Sequence, residues 1–174
     1  ATEFGNSLRA EIDKGDPAAA WSIWSSAKAT GVDPLADFPE IYRTAWEHIT
    51  STAEKYNSPG RFTAFIGFEW TSNPERNNLH RNVVFRGGKE SADTIIPFSN
   101  FDSFDPEDLW RWMDSYEQRT GDRLLAIPHN GNLSNGLMFD DRTLSGDPLN
   151  QDYLERRARW EPLYETTQMK GDGE

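Results

Sequence analysis

The residues of this 174-residue chain best suited to chemistry are Glu69, His80 and His129. The chain has no cysteine, which removes disulfides, thiolate nucleophiles and cysteine-type zinc sites and leaves imidazole and carboxylate as the metal-binding groups. These are the donors of zinc, manganese and iron sites. Glu69 closes the apolar run FTAFIGFE, His80 stands at the start of LHRNVVF, and His129 follows RLLAIP. A lone histidine is usually a structural residue satisfied by its neighbours. Two of them with a carboxylate, each at the end of a separate strand-like run, make a ligand set. The third histidine, His48, lies beside Glu47 in a helical stretch and reads as a surface residue.

Such a set points to hydrolysis. Bound divalent ions lower the pKa of a water toward about 7 and offset charge developing on phosphoryl oxygens, and one carboxylate can bridge two ions roughly 3.5–4 Å apart. Glu69 is the candidate bridge, and with His80 and His129 it is expected to carry catalysis through an activated water. Asn78, Asn82, Asn130 and Asn132 surround the two histidines in sequence and could orient the imidazoles or hold a water. Asn130, Asn132, Arg81 and Lys170 are the candidate substrate contacts. Arg81 would clamp a phosphate with two parallel bonds, or else pair with the acidic loops at the surface. Lys170 would approach substrate or be solvated. Glu165 would support the ligands or pair with Arg157 or Arg159. The HExxH, Walker-type glycine loop and GxSxG patterns are absent.

The charge balance narrows the partner. A net charge of -11 argues against a surface that binds nucleic acid, because that binding depends on Lys and Arg neutralising phosphates. A small phosphorylated molecule remains compatible where metal ions supply the local positive charge. No apolar run approaches the roughly 18 residues of a membrane span.

The elements that must position these residues follow from periodicity. Short helices are expected over about 7–14 and 17–29, broken at Gly15-Asp16-Pro17, and a longer one over 36–56 with a buried stripe of Ile41, Ala45, Ile49, Ala53 and Tyr56. Phe62 to Trp70 reads as a strand buried on both faces, and Leu79 to Phe85 as a second strand. Asp105-Pro106-Glu107-Asp108 starts a helix with its stripe at Leu109, Trp112, Met113 and Tyr116, and Gly121 ends it. Arg123 to Ile127 reads as a third strand, 151–160 as a helix and Leu163 to Gln168 as a fourth strand. This alternation predicts an α/β architecture with mostly parallel strands and functional residues at their carboxyl ends.

Three stretches, TAFIGFEWTSNPERNNLHRNVVFR, DPEDLWRWMDSYEQRTGDRLLAIPHNGNLSNGLMF and RRARWEPLYETTQMKGD, together resemble the central part of the domain of unknown function 3604 family. That family is similar to the polymerase and histidinol phosphatase (PHP) superfamily of metallophosphoesterases. The resemblance covers about residues 61–172. It implies part of a distorted (β/α)7 barrel over 61–174, with 1–60 a helical peripheral segment, and a cluster of two or three divalent metal ions in the complete protein. By position, Glu69, His80 and His129 match the middle metal-binding motifs of PHP enzymes. The upstream HxH and Asp-His motifs and the later Asp-x-His are not in this sequence, so the chain is expected to be a fragment of a longer polypeptide whose barrel other segments or chains complete.

The expected function is therefore a metal-dependent phosphoesterase acting on a small phosphate ester. Two other readings compete with it. One is a metal-binding or scaffold domain without catalysis. The other is a metal-free glycoside hydrolase using Glu69 and Glu165, which would need those carboxylates about 5–9.5 Å apart.

Overall fold

The structure, a computed structural model, describes residues 2–173. The chain is mixed α/β and divides into two compact units, one running to Thr44 and the other from Ala45 onward.

In the first unit, α1 (Glu3–Asp13) is capped by Thr2, whose hydroxyl accepts from Gly5 N at 2.8 Å. Gly15, at φ 78°, makes the turn. Asp16 then accepts from Ala19 N (2.9 Å) at the start of α2 (Pro17–Thr30). Phe4 of α1 meets Trp24 of α2 with ring centroids 5.9 Å apart.

The helix α3 (Pro39–Tyr56) carries the chain into the second unit. Its buried residues are Trp46 and Thr50, while Ile41, Ile49 and Tyr56 are exposed. The expected stripe is thus displaced by one position at Trp46 and Thr50, while Ala53 packs against the core as expected. Trp46 offers more apolar area than any aliphatic neighbour and has a partner for its N–H, the Ala92 carbonyl at 2.9 Å. Thr50, polar by type, is buried because its hydroxyl donates to Asp93 at 2.6 Å.

The sheet of this unit is three-stranded: β1 (Gly67–Trp70), β2 (Arg81–Phe85) and β3 (Leu124–Pro128), in the order β1-β2-β3. Both pairings are antiparallel, with Glu69 opposite Asn82 and Asn82 opposite Ile127. The parallel arrangement expected from alternation is overturned here. The long connection from β2 to β3 holds α4 (Lys89–Ala92) and α5 (Pro106–Thr120), but it leaves and returns at the same end of the sheet. Arg86 N donates to the Arg123 carbonyl at 2.8 Å, so the connection is no crossover.

Alternation along the strands gives the sheet two faces. Trp70, Arg81, Val83, Phe85, Leu124 and Ala126 are buried on one of them. The core there is ring-rich and receives Leu109, Trp110, Met113 and Tyr116 from α5. Asp105 caps that helix by accepting from Glu107 N at 2.9 Å, and Gly121 ends it in the left-handed conformation. The helix α6 (Gln151–Trp160), capped by Asn150, adds Tyr153 and Trp160.

Two strand expectations shorten. Phe62 and Phe65 are exposed and lie outside β1, so the run is not buried on both faces along its length. Of Leu163 to Gln168 only β4 (Thr167–Gln168) pairs, in a two-residue hairpin with β5 (Gly171–Asp172). The stretch before it is held to β3 by Glu165 N donating to the Pro128 carbonyl (3.1 Å). No helix among the described residues is long and apolar enough to cross a membrane.

Candidate metal centre

The register of β1, β2 and β3 brings the three ligand candidates to one end of one face. Glu69 stands in β1, His80 immediately precedes β2 and His129 immediately follows β3. The two histidine positions are joined by His129 N donating to the His80 carbonyl at 3.2 Å. Glu69 Oε1 is 2.9 Å from His80 Nδ1 and 3.0 Å from His129 Nε2. The imidazole rings meet edge to face with centroids 5.8 Å apart. One donor atom from each residue lies within 4.8 Å of the others, and the group can hold a metal ion.

The donor chemistry fits such an ion. Ligand bonds of about 2.1 Å put neighbouring donors about 3.0 Å apart at a right angle, the separation of both nitrogens from the shared oxygen. The His80 nitrogen at this separation is Nδ1; the Nε2 of the same ring is buried without a hydrogen-bond partner, a second unfilled group in the site. The histidine side chains are 12% and 7% exposed and that of Glu69 is 44% exposed, so the approach from solvent lies on the carboxylate side. Hydrogen bonds from His129 and then His80 hold the Glu69 carboxyl far below the usual carboxylate range, although burial works in the opposite direction. Glu69 is therefore anionic, held by two imidazole N–H donors whose protons a metal ion would have to displace.

Asn130 completes the arrangement. It adopts the left-handed conformation (φ 68°), which asparagine tolerates better than most residues, and is buried. Its Nδ2 lies 3.0 Å from His80 Nδ1. The same ring nitrogen faces both Glu69 and Asn130, yet it donates to the first only when protonated and accepts from the second only when bare. Gln168 Nε2 donates to Asn130 Oδ1 (3.3 Å) and to Glu165 Oε2 (2.8 Å). A chain of polar contacts thus runs Glu165–Gln168–Asn130–His80. Gln168 was not among the residues singled out from sequence, because glutamine is no metal ligand and nothing in its spacing ties it to His80. Glu165 takes the supporting role through Gln168. Arg157 and Arg159 bind elsewhere, to the Met138 carbonyl and Glu161, and to Glu117 and Asp114.

The other sequence candidates fall outside this group. Arg81 is 2% exposed, and its Nε donates to Glu161 Oε1 at 3.0 Å, with the Glu161 side chain 1% exposed. A guanidinium committed to a buried carboxylate does not clamp a phosphate, and the pair is not the surface one envisaged as the alternative. Asn132 turns to the terminal hairpin, where Nδ2 donates to the Lys170 carbonyl at 3.0 Å. Lys170 is exposed, and that carbonyl bond is its tie to the loop after His129. His48 is exposed on α3. Close packing beside His129 requires glycine at Gly131, where a Cβ would stand 2.1 Å from the Tyr164 hydroxyl.

Residues 11–174 match the family model described as protein of unknown function (DUF3604). The chain belongs to this family. Among curated proteins and among solved structures no match is found. In this DUF3604 chain the matched span contains Glu69, His80, His129 and Asn130 together with the Gln168–Glu165 support, so the whole cluster lies within the family's own region.

Proposed function

We propose that the chain is part of a metal-dependent hydrolase, a phosphoesterase acting on small phosphate esters, with Glu69, His80 and His129 as ligands of a divalent ion. The observation that carries this reading is the convergence of two imidazole nitrogens on one carboxylate oxygen at the ends of three neighbouring strands. The bound ion supplies a water of lowered pKa and positive charge toward the phosphoryl oxygens. Glu69 contributes the anionic charge that favours the cation, and the imidazoles bind through their lone pairs. Asn130 fixes the orientation of His80, since the amide and the ring nitrogen are in contact. The buried histidine side excludes bulk water, and the open side at Glu69 admits an ester.

Zinc, manganese and iron all suit this donor set. On this reading the chain is similar to PHP metallophosphoesterases, its three-stranded sheet is part of a distorted (β/α)7 barrel, and residues 61–174 form the central part of that domain behind a helical segment, 1–60. A cluster of two or three ions needs ligands beyond these three, contributed by other segments or chains. A metal-free glycoside hydrolase is supported less well, because it gives the two imidazoles that converge on Glu69 no role.

The test is elemental analysis of the purified protein after supply of manganese or zinc, alongside phosphate release from a panel of monoesters. Bound metal lost in Glu69→Ala and His129→Ala, with turnover lost in parallel, supports the reading. Bound metal without turnover on any ester, in a preparation that includes the barrel-completing segments, would leave a metal-binding scaffold. Absence of metal altogether would remove the site.

A further inference from the structure

The face of the sheet that carries the metal centre continues away from it as an apolar surface. Val84, Leu125 and Ile127 lie on this face, opposite the ring-rich core. With Phe65, Pro162 and Leu163 they line a groove of about 820 Å³. Phe65 is 64% and Leu163 56% exposed. The volume lies within the roughly 300–1,000 Å³ of small-molecule sites, and contiguous apolar surface of this kind marks a place of contact.

Charge at the far end of the groove selects the ligand. The antiparallel pairing of β2 and β3 continues one step past Phe85 and Leu124 through the Arg86–Arg123 backbone bond, which sets the two arginines directly opposite each other. Both line the groove. Arg159, also in the groove, is neutralised by Glu117 and Asp114. Among the described residues, neither Arg86 nor Arg123 has a carboxylate partner for its guanidinium. Like charges directly across an antiparallel pair destabilise it, and an anion between them would remove the repulsion and accept charge-assisted hydrogen bonds. From the Arg86/Arg123 pair to the Asn82/Ile127 pair is four residues along each strand, about 13 Å.

We propose that this groove binds an amphipathic anion: an extended apolar body lying over Val84, Leu125 and Ile127, with a terminal carboxylate or similar anionic group held between Arg86 and Arg123. The binding does not need the metal ion, because neither arginine touches the ligand triad and the apolar floor needs no ion, but it requires that the segments completing the barrel leave this face open.

Isothermal titration of the full chain with decanoate, decanol and decylamine tests this. Decanoate is expected to bind once per chain, with decanol and decylamine weaker by about tenfold or more. Arg86→Gln/Arg123→Gln should lower decanoate affinity by a similar factor while circular dichroism stays unchanged, and Glu69→Gln should leave that affinity as it was. Equal binding of the three probes, or full decanoate affinity in the double arginine variant, would overturn the proposal. So would loss of decanoate binding in Glu69→Gln. Sedimentation showing a dimer that Leu125→Asp dissociates, with no decanoate bound before dissociation, would assign the face to a second copy and overturn it as well.

Discussion

Arg81 and Glu161 form a charge pair whose side chains are 2% and 1% exposed, and removing one charge from it should be costly. Glu161 Oε1 also accepts from Trp110 Nε1 at 2.9 Å. The substitution that isolates the charge is therefore Glu161→Gln, which keeps an acceptor for Trp110 and leaves the Arg81 guanidinium buried and uncompensated. Breaking a buried pair from one side typically costs about 3–5 kcal/mol, and both groups here are buried deeply enough that solvent screening offers no discount. Against a typical domain stability of about 5–15 kcal/mol, that is a large fraction. Urea denaturation followed by tryptophan fluorescence reads it directly. Arg81→Met combined with Glu161→Gln should recover most of the loss, because the fully buried cation is then gone and Arg157, the other cation on Glu161, is partly exposed and keeps its bond to the Met138 carbonyl. A single-variant cost below about 1 kcal/mol, the range of exposed pairs, would refute the reasoning and return Arg81 to the substrate candidates.

Three further outcomes are expected. Manganese or zinc at about a hundred times its Kd should stabilise the chain by about 2.7 kcal/mol and raise Tm by roughly 5–10 °C, and His129→Ala should abolish the shift in a thermal melt. Asn130→Ala should weaken metal binding by about 10–100-fold in competition with a chelating dye, and Gln168→Ala should weaken it less, since it acts one bond further from His80. Burial pushes the Asp105 carboxyl above its ordinary value of 3.8, so the folded chain holds that proton more tightly than the unfolded one. The associated stability is fully present below about pH 3.8 and is lost as pH rises through the raised value. Asp105→Asn keeps the α5 cap and removes the loss, so its stability relative to the parent should rise between about pH 3 and pH 7; an unchanged difference in urea midpoints at the two ends would sink this.

What could be read from sequence divides according to how local its cause is. The helices α5 and α6 follow from caps and stripes within a dozen residues: Asp105-Pro106 and Gly121 bound α5, and α6 matches its expected span, 151–160. Glu69, His80 and His129 could be found because each lies at one end of an apolar run, Glu69 and His129 at a carboxyl end and His80 at an amino end. Only antiparallel pairing puts those ends on one rim, so the strand direction that was not legible in the sequence is the one that brings the ligand set together. Direction itself depends on where the 86–123 connection re-enters the sheet, a property of packing and not of periodicity. Arg81 was misplaced for a related reason, since its partner Glu161 stands 80 residues away in sequence and adjacency to His80 was the nearer signal. In a strand, adjacency is the wrong guide to companionship: neighbours alternate faces, so His80 belongs with Glu69 and His129 on the open side while Arg81 goes with Val83 and Phe85 into the core. The same alternation places Arg86 and Arg123 on the open face with Val84 and Leu125, which makes them part of the groove and not of the core.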